Sequence, residues 1–223
     1  WFNISRSGFH FAKRKLMIDN HLVKLLNPLF HILGSVFLKF KLNANIVSLL
    51  GLFFSFVSFF LIINFNFISA LFFFILGRIM DGVDGNLAHR TGRTDFGGFL
   101  DIVFDFISYS LIPLAFILIL NSNAFYGSIL LASFFGTGST FLALAIFERK
   151  IFLLDSHNKS FFHVEGLIGG GITIFFLSLM MILPNSFNLI SIIFSILCII
   201  GTIERIYYAY NILNIKWGLY YEF

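Results

Sequence analysis

Residues 81–105 read DGVDGNLAHRTGRTDFGGFLDIVFD, and this stretch decides how the whole chain is interpreted. The chain as a whole carries little charge: hydrophobic residues make up 58% of its 223 residues and charged residues only 12%. Soluble domains carry roughly 25% charged residues. The stretch nevertheless holds five of the eleven acidic residues: Asp81, Asp84, Asp95, Asp101 and Asp105. Carboxylates near a bilayer are costly and mark functional sites, so the pattern predicts a metal site in a membrane protein.

Three long stretches contain no Asp, Glu, Lys or Arg: residues 42–77, 106–147 and 166–203. Each is long enough for two crossings of roughly 20 residues, and polar or turn-forming residues interrupt each near its middle. Backbone groups in lipid must be paired within the protein, which favours helices. The sequence therefore predicts an all-α, polytopic integral membrane protein with six transmembrane helices in three hairpins. The predicted helices lie near residues 46–63, 67–88, 97–120, 125–147, 167–183 and 188–208.

Basic residues orient these predicted helices. They lie before the first helix and after the second, fourth and sixth, whereas the three opposite turns contain none. Since Lys and Arg accumulate in short cytoplasmic loops, both termini and the aspartates are predicted to be cytoplasmic, in an inner or plasma membrane. The net charge of +4 is explained by this rule and by contact with anionic membrane lipids, so no nucleic acid partner is expected.

The whole chain, residues 1–223, is predicted to form a single membrane domain. Residues 1–41 form a cytoplasmic or interfacial segment, 42–208 the six-helix bundle and 209–223 a cytoplasmic tail. Within the first segment, an apolar side and a basic side between Phe9 and Leu33 predict an interfacial amphipathic helix, interrupted by Pro28. No cleavable targeting segment is expected, because the first thirty residues lack a compact apolar block.

The aspartates are spaced for a helix surface. Asp81 and Asp84 share one face near the end of the second predicted helix, and Asp101 and Asp105 share a face at the start of the third. The short connecting loop is expected to bring both pairs together. Four carboxylates at such short distances repel each other unless protons or cations neutralise them. Oxygen ligands favour Mg²⁺ or Mn²⁺ as the cation.

Small residues accompany the aspartates in the same stretch, and they leave room for a ligand or a neighbouring backbone. With them the stretch resembles the signature of the CDP-alcohol phosphatidyltransferases, D-x2-D-G-x2-A-R-x8-G-x3-D-x3-D. Two positions depart from the signature. His89 stands at the arginine position, and seven residues rather than eight precede the next glycine. Arg90 and Arg93 are the candidates for the missing positive charge. The matching residues are Asp81, Asp84, Gly85, Ala88, Gly97, Asp101 and Asp105.

The resemblance implies a six-helix enzyme, typically a homodimer, whose active site opens to the cytoplasm. It implies that two divalent ions, Mg²⁺ or Mn²⁺, bind to Asp81, Asp84, Asp101 and Asp105, and that Asp105 is the catalytic base. Nucleotide-binding residues are implied at the small positions and beside them: Gly85, Ala88, His89, Arg90 and Gly97. Asn45 and Ser48 either lie near the nucleotide, as in the family, or act as helix caps.

The implied reaction transfers a phosphatidyl group from a CDP-linked lipid donor, most simply CDP-diacylglycerol, to a small alcohol acceptor, with release of CMP. Two alternatives remain open from the residues. In a metal-dependent lipid pyrophosphatase, water replaces the alcohol. An ion or metal transporter also carries acidic residues in its helices, although transport sites tend to lie near the bilayer midplane within broken helices.

Overall fold

A computed structural model describes residues 27–154 and 169–218, and within these ranges all regular secondary structure is helical. The prediction of an all-α fold is confirmed for this part of the chain. A single 3-10 turn, Pro184–Ser186, separates the last two helices. The helices are α1 (27–39), α2 (Ala44–Ile63), α3 (Phe67–Thr91), α4 (Asp95–Ile119), α5 (Asn121–Leu154), α6 (Gly170–Ile182) and α7 (Phe187–Gly218).

Helix length and composition match a bilayer in four segments of the described residues: Ala44–Ile63, Asp95–Ile119, Asn121–Phe147 and Pro184–Asn211. Helix α3 has 25 residues, but its charged side chains lower its apolar character. Helix α6 has 13 residues, so it is about 20 Å long, less than the ~30 Å of a hydrocarbon core. Six crossings in three hairpins therefore remain a prediction.

Helix α2 organises the half of the molecule that contains the aspartates. It packs along both α3 and α4, whereas α3 and α4 share few direct contacts with each other. Helix α5 packs along α4 and α7, and α6 contacts α3, α4 and α7. Helices α3 and α4 are connected by side-chain contacts, such as the stacking of Phe67 on Phe116, rather than by a close crossing of their backbones.

Two glycines let α2 and α3 cross closely. A Cβ atom at Gly77 would lie 2.9 Å from the carbonyl oxygen of Gly51, and one at Gly51 would lie 3.1 Å from that of Gly77. Small residues at such crossings allow helix backbones to touch. Further along the same pair, Ser58 donates a hydrogen bond to the carbonyl oxygen of Ala70 at 2.9 Å. These contacts fix the position of α3 relative to α2.

The end of the bundle remote from the aspartates contains an aromatic core. Phe116 of α4 lies between Phe67 of α3 and Phe187 of α7, with ring centroids 5.6 and 4.6 Å apart. Phe194 stacks on Phe176 at 4.6 Å. Phe116, Phe187 and Phe194 are buried. The core therefore joins four helices, α3, α4, α6 and α7, at one end of the molecule.

The boundary between α4 and α5 differs from its predicted position. The polar residues at 121–123 were expected to form the turn, but the break lies at Leu120 and α5 begins at Asn121. The buried Asn123 side chain donates a hydrogen bond to the carbonyl oxygen of Phe116 at 3.0 Å. One of the carbonyl groups left unpaired at the end of α4 is thereby satisfied. The polar residues thus cap one helix while they start the next.

Helix α1 overlaps the predicted interfacial helix only at its end, since residues 9–26 lie outside the described part of the chain. Phe30 of α1 is buried against α2 and α3, in a small apolar cluster with Val47 and Val83. Leu29 and Ile32 on the same helix are exposed. Helix α1 therefore has one face on the bundle, and its position at the membrane surface remains a prediction.

Candidate active site

A tight turn returns the chain from α3 to α4. Gly92 follows the last residue of α3 with φ +105°, a conformation that residues with a Cβ rarely adopt. Thr94 then caps α4, because its hydroxyl oxygen accepts a hydrogen bond from the backbone N–H of Gly97 at 3.0 Å. Only three residues therefore separate the end of α3 from the start of α4.

This turn brings three of the four predicted metal ligands together. One carboxylate oxygen from each of Asp81, Asp84 and Asp101 lies within 4.8 Å of the other two. Asp84 is only 4% exposed, and its Oδ2 atom has no hydrogen-bond partner among the described residues. An unpaired buried carboxylate is costly. A hard divalent cation with oxygen ligands satisfies that atom, so the side chains fit Mg²⁺ or Mn²⁺.

The fourth predicted ligand, Asp105, is not a member of this group. Its Oδ1 atom accepts a hydrogen bond from Nη1 of Arg78 in a direct ion pair across the space between α3 and α4. The same nitrogen lies 3.9 Å from Oδ2 of Asp81. The guanidinium group stands over the ring of Tyr109, 4.9 Å from its centroid. Asp105 thus borders the cluster while an arginine holds its carboxylate.

Arg78 is absent from the residues that the motif predicts. Its position in the sequence could still have identified Arg78, because it comes directly after a charge-free stretch. It also precedes Asp81 by three residues, which places both side chains on one helix face. A charged residue within an apolar helix favours a functional assignment. Its partner Asp105 lies 27 residues further along the chain, and no local pattern predicts that pairing.

The small residues of the motif have different surroundings. Gly85 is exposed, and a Cβ atom there would have no atom within 4 Å. At Gly97 a Cβ atom would lie 3.0 Å from Oγ1 of Thr94 and 3.1 Å from Oδ1 of Asn45. Ala88 packs against the apolar cluster of α1, α2 and α3. Of these three motif residues, Gly85 borders open space beside the aspartates, whereas Gly97 permits α2 and α4 to approach.

The predicted positive charges lie at the exposed end of α3 and in the loop after it. His89, Arg90 and Arg93 are all exposed. Nη1 of Arg90 donates a hydrogen bond to the hydroxyl oxygen of Ser35 at 3.0 Å. Arg90 is thereby connected to α1, and Arg93 lies in the loop between α3 and α4.

The start of α2 provides a third wall of the site. The hydroxyl group of Ser48 lies beside the carboxylate of Asp84, and it also donates to the carbonyl oxygen of Ala44 at 3.1 Å. Asn45 faces Gly97, as described above. The N-cap position of α2 belongs to Asn43, whose side chain makes no capping hydrogen bond. Asn45 and Ser48 therefore face the site rather than cap the helix.

The motif and this geometry agree with a comparison against protein families. The sequence profile described as CDP-alcohol phosphatidyltransferase matches residues 41–203, which include α2 to α6 and most of α7. The chain belongs to the CDP-alcohol phosphatidyltransferase family. The resemblance predicted from residues 81–105 is confirmed. Membership supports phosphatidyl transfer in phospholipid synthesis as the general activity.

Two relatives extend the comparison. The chain is 37% identical to the Inner membrane protein YnjF of Escherichia coli (strain K12) over 199 residues, which cover 87% of this chain and 96% of that protein. It is 39% identical over 90 residues to an uncharacterized protein of Aquifex aeolicus (strain VF5), covering 40% of this chain and 43% of the relative. The first relative and the four long apolar helices together identify this CDP-alcohol phosphatidyltransferase as an integral membrane protein.

Divalent metal dependence is a property of the family. The group formed by Asp81, Asp84 and Asp101 has the oxygen donors that such a metal requires. Family membership and the aspartate geometry thus agree on the kind of cofactor.

Proposed function

We propose that this chain transfers a phosphatidyl group from CDP-diacylglycerol to a small alcohol and releases CMP, with Mg²⁺ or Mn²⁺ as cofactor. The observation that carries the proposal is the convergence of Asp81, Asp84 and Asp101 around the unpaired buried oxygen of Asp84. The open space at Gly85 adjoins these carboxylates. The carboxylates attract divalent cations, and the open space beside them leaves room for a diphosphate that such cations would bind.

The four aspartates of the motif, Asp81, Asp84, Asp101 and Asp105, would hold two divalent ions. When bound, these ions offset the charge of the diphosphate and stabilise the departing CMP. Gly85 leaves room for the cytidine nucleotide, because no side chain fills the space in front of it. Arg93, in the exposed loop after α3, is the remaining basic candidate for a phosphate contact, since Arg90 is engaged with Ser35.

Asp105 is the proposed base. The oxygen of the acceptor alcohol attacks the phosphorus distal to cytidine, the bond between that phosphorus and the oxygen of CMP breaks, and the hydroxyl proton moves to a carboxylate. Arg78 binds Oδ1 of Asp105, so we assign the proton to Oδ2. The products are a phosphatidyl alcohol, CMP and one proton, which Asp105 later returns to water.

The position of the site suits a lipid donor. The aspartates lie near the ends of α3 and α4 that face the loop at 92–94, and Gly85 and Asp101 are exposed. Acyl chains can therefore stay in the bilayer while the nucleotide enters from water. Basic residues flank this end of the helices. Because Lys and Arg accumulate in short loops on the cytoplasmic side, we place this end in the cytoplasm. A homodimer in the inner or plasma membrane completes the proposal.

The deciding experiment measures CMP release from CDP-diacylglycerol by the purified protein in detergent, with Mg²⁺ or Mn²⁺ and a panel of alcohol acceptors. We expect release to require one acceptor. In Asp105→Asn, turnover per folded molecule should fall at least about 100-fold, the usual contribution of a general base. Asp95→Asn is the matched control, since Asp95 is an exposed carboxylate in the first turn of the same helix.

The other outcomes identify the alternatives. CMP release without any acceptor would indicate a lipid pyrophosphatase. Metal-dependent flux into liposomes without CMP formation would indicate a transporter. Full turnover by Asp105→Asn would remove the proposed base while leaving the transferase itself in place.

A further inference from the structure

The turn between α1 and α2 contains a lysine in a backbone conformation that favours glycine. Lys41 has φ +54°, in the left-handed region that residues with a Cβ rarely adopt. Its backbone N–H donates to the carbonyl oxygen of Leu38 at 3.0 Å, and the N–H of Leu42 donates to that of Phe37 at 3.0 Å. This pair of hydrogen bonds ends many helices, usually with glycine at the left-handed position. A lysine is therefore retained at this position despite the strain.

The turn between α2 and α3 has the same geometry and provides a comparison. Phe65 has φ +59°, and the same two hydrogen bonds, at 2.8 and 2.9 Å, end α2. The ring of Phe65 lies edge to face against Phe67, with centroids 6.2 Å apart, so a contact accounts for that side chain. Lys41 is exposed, and within the described residues its ammonium group has no hydrogen bond or ion pair. A partner for Lys41 has to come from elsewhere.

Other basic residues lie near Lys41 on the same part of the molecule. Lys39 is exposed in the last turn of α1, four residues after Ser35 and therefore on the same helix face. The hydrogen bond from Arg90 to Ser35 holds an exposed guanidinium group against that face. Residues 27–80 and 85–94 contain no Asp or Glu. We call the group formed by Lys39, Lys41 and Arg90 the basic surface, and its charge favours an anionic partner.

The surroundings of the basic surface favour a lipid as that partner. Helix α1 exposes a stripe of large apolar side chains at helical spacing, which consists of Leu29, Ile32, Val36 and Phe40. A helix that is long and apolar enough to cross a membrane begins at Ala44, three residues after Lys41. Lys41 thus lies at the end of a membrane-length helix, where a bilayer has its phosphate groups. A phospholipid offers acyl chains to the stripe and a phosphate to the lysines.

We propose that the basic surface binds the phosphate group of an anionic phospholipid, and that Lys41 is retained in its strained turn for this contact. Lys39 and Arg90 contribute further positive charge, and the apolar stripe of α1 lies among the acyl chains. A lysine that only oriented the chain in the membrane would act equally well at any position of the loop. The proposal does not depend on the donor or the acceptor of the reaction.

The first test measures binding of spin-labelled phosphatidylglycerol by electron paramagnetic resonance, with the protein reconstituted in phosphatidylcholine vesicles. Spin-labelled phosphatidylcholine is the neutral comparison, and a chelator removes metal so that the aspartates repel anions. We expect phosphatidylglycerol to be preferred, and the preference to weaken between about 20 and about 500 mM salt. Lys41→Gly should lower the preference by up to about fivefold, the factor for one basic residue near a membrane surface. Lys41→Arg keeps the charge and should keep the preference.

Phe65→Gly is the matched control, because it removes the same backbone strain without removing charge. In detergent without anionic lipid, both glycine variants should unfold at or above the midpoint of the parent protein. Only Lys41→Gly should lose the preference for phosphatidylglycerol. An unchanged preference in Lys41→Gly, or an equal loss in Phe65→Gly, would overturn the proposal. A lower unfolding midpoint in Lys41→Gly would show that the lysine serves the fold, which also contradicts it.

A competition experiment separates the lipid from a soluble anion. Inorganic phosphate should displace no more spin-labelled phosphatidylglycerol than chloride does at equal ionic strength. Displacement by phosphate alone would assign the basic surface to a free phosphate and refute the lipid proposal. Lipid binding is measured without a CDP-linked donor, so it can be found when no alcohol supports CMP release. Conversely, CMP release by a protein without lipid preference would leave the transferase in place and remove this proposal.

Discussion

The two ends of α3 and α4 are built in opposite ways. At one end Phe116 is fully buried and stacks between Phe67 and Phe187. At the other end Asp84 is buried with an unpaired oxygen, and Gly85 faces open space. The aromatic end stabilises the fold. The aspartate end is less stable, because it keeps buried charge and leaves room for a ligand. Stability and function are therefore separated along the same two helices.

The separation has a structural benefit. A binding site is effective when its side chains stand on rigid elements. Helices α3 and α4 share few direct contacts, so their relative position depends on α2 and on the aromatic core. The close crossing at Gly51 and Gly77 and the stacked rings around Phe116 hold the helices that carry the aspartates. The carboxylates can then repel each other without opening the bundle.

The largest effect on this comparison should come from Asp84→Asn. With the metal chelated, this variant should be more stable than the parent protein by about 1–3 kcal/mol, because a neutral amide is less costly to bury beside two other carboxylates than a charged carboxylate is. Turnover should fall more than about 100-fold, because a metal ligand is worth more than the groups that support it. Thermal unfolding in the presence of a chelator and CMP release with added Mn²⁺ measure the two quantities.

Asp95→Asn is again the control, because Asp95 is exposed and stands outside the cluster. It should change neither quantity measurably. If Asp84→Asn is less stable than the parent protein in the chelator, the charge of Asp84 does not destabilise this end of the helices. The contrast between the two ends would then be wrong.

The next effect concerns the aromatic core. Phe116→Ala should cost about 3 kcal/mol, at the lower end of the range for aromatic residues in soluble cores, because lipid solvates apolar groups and only packing is lost. Turnover per folded molecule should stay near that of the parent protein. Phe135→Ala is the control, since Phe135 is 80% exposed and should change stability by less than about 0.5 kcal/mol. An equal loss in both variants would show that the core has no special role.

Most of the architecture could be predicted from local patterns. Charge-free stretches predict the long helices because a bilayer excludes charge, and the observed α2, α3 and α4 start and end within four residues of their predicted bounds. The spacing of Asp81 and Asp84 on one helix face predicts that their carboxylates converge. Family membership follows from the same stretch. These predictions depend only on neighbouring residues, which explains why they succeed.

The remaining features depend on how helices pack. The start of α5 at Asn121 follows from the hydrogen bond between Asn123 and Phe116, which a turn-residue rule does not include. The pairing of Arg78 with Asp105 follows from the rotation of α3 relative to α4, which α2 determines. The position of Arg78 before Asp81 can be read from the sequence, but its partner, 27 residues further along the chain, cannot.

The smallest effect should come from two glycines one turn apart on α3. A Cβ atom at Gly82 would run into the ring of Phe30, whereas one at Gly85 would contact nothing. Gly82→Ala should therefore lower stability by about 1–3 kcal/mol through overpacking. Gly85→Ala should raise stability by up to about 1 kcal/mol, since alanine favours the helix. Unfolding midpoints of the two variants measure the difference.

The two glycine variants should differ in the opposite way in their kinetics: Gly85→Ala should affect KM more than Gly82→Ala. Gly85→Ala places a methyl group in the space assigned to the nucleotide, so it should raise KM for the CDP-linked donor, whereas Gly82→Ala should leave KM unchanged in the folded fraction. Phe30→Leu, combined with Gly82→Ala, should restore stability by removing the clash. If Gly85→Ala has an unaltered KM, the open space at Gly85 is not part of the nucleotide site. The room left at this end of α3 would then serve the packing of another chain or lipid rather than the reaction.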